Sequence, residues 1–145
     1  MKASNRAYEM IKRFEGYRFK SYLCAGGKCT IGYGHTKDVK PYRTITHDQA
    51  LKYLSEDIED VEKALSTLVK VKLNQNQYDS LVSFVFNVGT GAFSSSTLLK
   101  KLNNNDFESV PKELRKWIFA GGKACVGLKK RREAEAILFE ADCNP

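Results

Sequence analysis

Residues 46–69 read THDQALKYLSEDIEDVEKALSTLV, and this stretch decides the architecture. Leu51, Leu54, Ile58, Val61, Leu65 and Leu68 recur three and four residues apart, the spacing of one face of an α-helix. Thr46 followed by Gln49 is a capping-box pattern that starts it. At 1.5 Å per residue, a helix over 47–69 is a rod of about 35 Å. Its other face carries Glu56, Asp57, Glu59, Asp60 and Glu62, which reads as a solvated surface. A long rod with one apolar stripe can span two lobes and belong to both.

Toward the N-terminus, residues 4–14 predict a short amphipathic helix. Ser4 or Asn5 caps it, Ala7, Met10, Ile11 and Phe14 share its face, and Gly16 stops it. The pattern then turns to β. Tyr22-Leu23-Cys24 and Cys29-Thr30-Ile31 flank Ala25-Gly26-Gly27-Lys28, a four-residue hairpin loop, and the main antiparallel hairpin is expected within 22–34. Gly32 and Gly34 weaken any longer strand.

Toward the C-terminus, residues 77–88 are apolar on nearly every side, so this helix belongs at the centre of a helical lobe. Gly89-Thr90-Gly91 ends it. Shorter helices are expected at 97–103, 107–119 and 128–141, with Pro111 in the first turn or at a break of the middle one. Trp117 shares a helical face with Leu114 and Ile118 and reads as a core anchor. The fold class is α+β, mainly helical, in a single domain over 1–145. A small β-hairpin lobe covers about 15–46 and the connecting helix about 47–69. A helical lobe over about 70–145 packs with the N-terminal helix at 4–14.

A chain of 145 residues with 42% hydrophobic and 28% charged residues fits one globular domain and excludes disorder. No run approaches the roughly 18 apolar residues that span a bilayer, so no stable membrane insertion is expected. Met1 to Arg6 lacks the apolar stretch of a signal peptide. The net charge of +7 points to a polyanionic partner: nucleic acid, acidic lipid or an anionic cell wall. The four cysteines, Cys24, Cys29, Cys125 and Cys143, are expected as free thiols in the absence of an export signal.

Glu15 is the first candidate for chemistry. It ends the first helix, where partial negative charge gathers and disfavours a carboxylate. Phe14, Tyr17 and Phe19 are placed to desolvate it further. A carboxyl kept protonated is what a general acid requires. The plainer reading is a solvated helix-end glutamate.

Glu15, eight residues, Cys24, five residues, Thr30, then Ile31-Gly32-Tyr33-Gly34-His35-Thr36 resembles the active-site signature of the phage-type lysozymes. These glycoside hydrolases cut the sugar backbone of peptidoglycan. Phe86-Asn87-Val88-Gly89, Ser96-Thr97-Leu98-Leu99, Trp117, Ala120-Gly121-Gly122-Lys123 and Gly127-Leu128 through Arg131-Arg132-Glu133 extend the similarity over almost the whole chain. The resemblance implies a lysozyme-like fold with the substrate cleft between the lobes, and no cofactor. It implies that the bond cut joins N-acetylmuramic acid to N-acetylglucosamine, with Glu15 protonating the departing oxygen. Cys24 and Thr30 would handle water or charge on the opposite face of the sugar. Thr36, Phe86, Asn87 and Thr97 fall where the family lines its cleft, and Arg131 or Arg132 would reach Glu15. It further implies a monomer made in the bacterial cytoplasm and released to the wall by a holin, a membrane-permeabilising partner.

Position 24 departs from the commoner form, which has aspartate there. A thiolate at Cys24 can offset charge or act as base or nucleophile. Alternatively Cys24 fills space, or it pairs with Cys29 across the tight loop. Cys24, Cys29 and His35 superficially suggest zinc, but the spacing lacks a CxxC pair and no metal is expected. His35 is expected to hold the glycine-rich turn to the long helix. Two rival functions remain: a cysteine peptidase or amidase using Cys24 with His35 or His47, and a basic module binding nucleic acid through its lysine-rich second half.

Overall fold

In the computed structural model, residues 1–22 and 28–141 are described. Helix α1 spans Asn5–Glu15, with Ser4 as its cap accepting from the Arg6 N–H. Helix α2 spans His47–Leu68, and both halves of the Thr46–Gln49 capping box are formed. Ala50, Leu54, Ile58, Val61 and Leu65 make its buried stripe, with Leu51 and Leu68 half-buried at its borders. Its first half packs on the segment after α1, its second half on the helices that follow.

Helix α3, Gln75–Val88, opens on a second capping box, Asn74 with Gln77. Residues 78–85 are all buried, serines and Asp79 included. It packs against α1, α2 and the last helix, as its all-round apolar surface predicts. Gly89 ends it at φ 92° and leads into a short helix α4, Thr90–Ser94. Helix α5, Thr97–Asn103, follows with Ser96 as cap. The buried Asp79 carboxylate accepts from the backbone N–H of Ser4 at 3.0 Å, from its hydroxyl, and from Gln75, which docks the start of α1 on α3.

The helix expected over 107–119 is shorter. A 3₁₀ turn at Phe107–Ser109 leads into α6, Val110–Leu114, with Pro111 in its first turn. Beyond Leu114 the chain unwinds through a turn whose Trp117 N–H donates to the Leu114 carbonyl. Trp117 still reaches the core, edge-on to Phe84 at 5.5 Å, but from an extended segment. There β1, Phe119–Ala120, pairs antiparallel with β2, Lys123–Ala124, around Gly121 and Gly122, both at positive φ. Helix α7, Val126–Glu140, closes the fold against α3 and α6.

This ladder is the only two-stranded sheet among the described residues, while much of the hairpin expected within 22–34 rests on residues outside them. Residues 18–21 bridge to Gly32 on one side and to 42–45 on the other. The tip of the expected hairpin, 23–27, lies outside the described residues. After it, Ile31 and His35 exchange backbone hydrogen bonds at 2.9 Å and close a tight turn where a strand would have continued. Gly32 and Gly34, both at positive φ, are the cause.

The Glu113 carboxylate on α6 is buried, with 6% of its side chain exposed, and receives Lys116 at 2.7 Å and Lys101 at 3.2 Å. The Lys116 hydrogen bond foremost, with help from Lys101, holds Glu113 below its ordinary value of 4.5 against the opposing effect of burial. A carboxyl lowered by folding stabilises the fold above its unfolded value and loses that contribution as pH falls through the folded value. Glu113→Gln is therefore expected to lose less stability than the parent between pH 5 and about pH 2, read as urea midpoints across that window.

Candidate active site

Helix α1 ends at Glu15 because Gly16 turns the chain at φ 71°, its N–H still donating to the Lys12 carbonyl. The Glu15 side chain is one-fifth exposed, within reach of solvent. Gly34 in the 31–35 turn lies directly against it. At φ 77°, a Cβ on residue 34 would sit 2.6 Å from Glu15 Oε1. Only glycine permits both that backbone and that approach.

From the other side Arg131, on α7, donates through Nη1 to Glu15 Oε2 at 2.6 Å. Arg131, not Arg132, is thus the arginine that reaches Glu15. Arg131 Nη2 donates to the Ser83 carbonyl at 3.1 Å and Nε to Glu135 Oε2 at 3.3 Å. Glu135 is fully buried, accepts the Ser83 hydroxyl at 2.6 Å, and lies 2.6 Å from Arg132 Nε. That last contact is an ion pair, poorly aligned for a hydrogen bond; Arg132 Nη2 makes the aligned one at 3.2 Å. Burial, the largest influence, pushes Glu135 up and Arg132 down, with their mutual attraction opposing both.

The expected apolar cover over Glu15 is not present. Tyr17 and Phe19 are 42% and 57% exposed, and the Phe14 ring faces the Arg131 and Arg13 guanidiniums. Tyr17 packs on Tyr33 and His47, and the Tyr33 hydroxyl hydrogen-bonds His47 Nε2 at 2.9 Å.

His35 is buried and holds the glycine-rich turn to α2, as expected. Its Nδ1 lies 2.8 Å from Asp57 Oδ2 and its ring stacks on Tyr53 at 4.2 Å. Burial raises Asp57 most, and the His35 hydrogen bond and charge pull it back.

Cys24 lies outside the described residues. Cys29 is buried and disulfide-bonded, which corrects the expectation of free thiols for it and removes it as a thiolate ligand for zinc. Cys125 is a free thiol. Thr30 is half-buried, one residue before the turn, with no hydrogen bond to its side chain among the described residues. Thr36 is exposed just after His35. Phe86 packs partly on the core and Asn87 is exposed in the last turn of α3; Thr97 is exposed as the first residue of α5. None of these four hydrogen-bonds Glu15. Ser83 and Glu135 were not anticipated. Their signals were a serine inside an apolar helix and a glutamate three and four residues beyond two arginines.

A profile of the family described as phage lysozyme matches residues 12–135. The chain is 48% identical to an endolysin of Acyrthosiphon pisum secondary endosymbiont phage 1, covering 97% of this chain and 99% of the relative. A SAR-endolysin of bacteriophage PS119 is 41% identical, over 83% of this chain and 73% of its own. Among solved structures, the muramidase domain of SpmX from Asticaccaulis excentricus superposes with a TM-score of 0.90 at 33% identity, covering 97% of this chain and 99% of the other.

Proposed function

The chain belongs to the phage lysozyme family, and we propose that Glu15 is the general acid with which it cleaves peptidoglycan. It is an endolysin-type glycoside hydrolase, a muramidase acting on the bacterial wall. The observation that carries the role of Glu15 is its placement. One carboxyl, accessible to solvent, is held between the Gly34 backbone and the Arg131 guanidinium.

In this reading the glycan lies between the small lobe, about 15–46, and the helical lobe, about 70–145 with the helix at 4–14. The helix at about 47–69 joins them. The bond broken links N-acetylmuramic acid to N-acetylglucosamine. Glu15 gives its proton to the departing glycosidic oxygen as the bond breaks, and water completes the sugar on the opposite face. Cys24 and Thr30 serve that face, the Thr30 hydroxyl as a positioning group and Cys24 as thiolate base or charge partner. Thr36, Phe86, Asn87 and Thr97 line the cleft. The glycine-rich turn is pinned to α2 by His35, which holds Gly34 against the acid.

Cys24→Asp is expected to keep substantial activity and Cys24→Ser to lose much more; equal activity in all three forms would make Cys24 a spectator. With Cys29 bridged, dithiothreitol gives the cross-check. Activation by reductant, mimicked by Cys29→Ala, would mean that the bridge restrains the enzyme.

The protein acts on the wall as a monomer and reaches it from the cytoplasm when a holin breaches the membrane. Among the described residues no helix is long and apolar enough to cross a membrane. Expression of this chain alone should give little lysis until the membrane is permeabilised; prompt lysis would overturn holin dependence. The purified protein should clear a suspension of bacteria stripped of their outer membrane. Failure to clear it, with nucleic acid bound instead, would favour the basic-module reading.

A further inference from the structure

Beneath Glu15 the fold buries more charge than one acid and one arginine require. The side chains of Arg131, Arg132 and Glu135 are 4%, 1% and 0% exposed. Together with Glu15 they form a set of two cations and two anions. Such a set is a poor stabiliser, because desolvation offsets the attraction and an apolar replacement of similar volume often does as well. The directions agree: burial is the dominant influence on both Glu135 and Arg132.

Geometry shows what the buried carboxylate holds. Glu135 Oε2 accepts from Arg131 Nε, Arg132 Nη2 and the Ser83 hydroxyl. Arg132 has no other acidic partner among the described residues; its Nη1 makes no hydrogen bond and its guanidinium lies 4.9 Å over the Phe84 ring. The Arg131 and Glu15 charges act on it from nearby, Arg131 pushing it down and Glu15 up. Resting on the reading of Glu15 as the acid, we propose that Glu135 is a positioning residue for the Glu15–Arg131 pair. It fixes Arg131 from behind and cancels Arg132, so that Glu15 faces one net cation fewer.

The consequence is a charge rule for the pH profile. A general acid works only while protonated, so activity falls on the alkaline side. Added positive charge nearby brings that fall to lower pH, and added negative charge delays it. The other ionisable groups around Glu15 among the described residues are Lys12 and Arg13 in its own helical turn, Tyr17, Tyr33 beside Gly34, and His47 bonded to Tyr33. They stay constant in the variants below.

The test measures kcat, KM and the pH profile of wall hydrolysis for Glu135→Gln, Arg132→Gln and the double variant. Glu135→Gln leaves the set one charge more positive. Its alkaline limb should move about one pH unit lower, with kcat about twofold down one unit below the parent's midpoint and the deficit approaching about tenfold above it. Arg132→Gln should move the limb the other way. The double variant restores neutrality and should return the limb close to the parent position, with KM unchanged throughout. If Glu135→Gln does not fold, the sign of the Arg132→Gln shift and its reversal in the double variant still decide. One common limb position, or single variants shifting in the same direction, would overturn the proposal. Glu15→Gln run alongside separates the two claims: its retained activity removes the acid itself, whereas its loss with no charge ordering removes only the role of Glu135.

Discussion

Glu15→Gln is expected to lose wall hydrolysis by about 10²- to 10⁴-fold while the fold survives. The amide keeps the shape of the carboxyl and can still accept Arg131 through its oxygen, so the contact at 2.6 Å has a surviving partner. It cannot deliver a proton to a leaving oxygen. Gly34 leaves open the space that a Cβ would take, and an amide of the same size as the carboxyl fits it. The measurement is the rate of clearing of stripped cells, with circular dichroism to show the fold intact. A folded variant with full activity would remove Glu15 from the chemistry.

Phe84→Ala is expected to destabilise the fold by about 3–5 kcal/mol. Phe84 is fully buried at the middle of α3, edge-on to Phe93 at 6.3 Å and to Trp117 at 5.5 Å, with Arg132 over its ring. Removing it opens a cavity that α3, packed against α1, α2 and α7, cannot close by shifting. It also leaves Trp117 without the contact that holds an extended segment to the core. Phe119→Ala is the control: its side chain is 62% exposed, and its loss should cost within about 0.5 kcal/mol. Urea unfolding midpoints of the two variants decide the matter. A small loss in Phe84→Ala would mean that the core relaxes far more than its packing suggests.

Helices α2 and α3 were legible because their signals are local. Each carries a capping box and an apolar pattern that no distant contact had to supply. His35 was legible too, since one imidazole beside a glycine-rich turn needs a polar partner and α2 carries a row of acids. The segment after Leu114 was not. Its helical pattern is real, but Trp117 finds Phe84 across the core and draws the chain out of the helix, a tertiary contact that overrides propensity. One pairing in the small lobe was not legible either: 18–21 pairs with residues far along the chain, 42–45, and sequence spacing does not announce such a partner. Arg131 and Arg132 differ by about 100° around α7, so choosing between them needs the roll of that helix against α3. Glu135 at the same spacing reads as a surface ion pair until α3 is laid over it.

The most direct measurement is the identity of the ends created when the protein digests purified peptidoglycan. Cleavage of the glycan should release new reducing ends at N-acetylmuramic acid, at a rate that tracks clearing and disappears in Glu15→Gln. Release of new amino groups without reducing ends would contradict the account and favour a cysteine-dependent attack on the peptide.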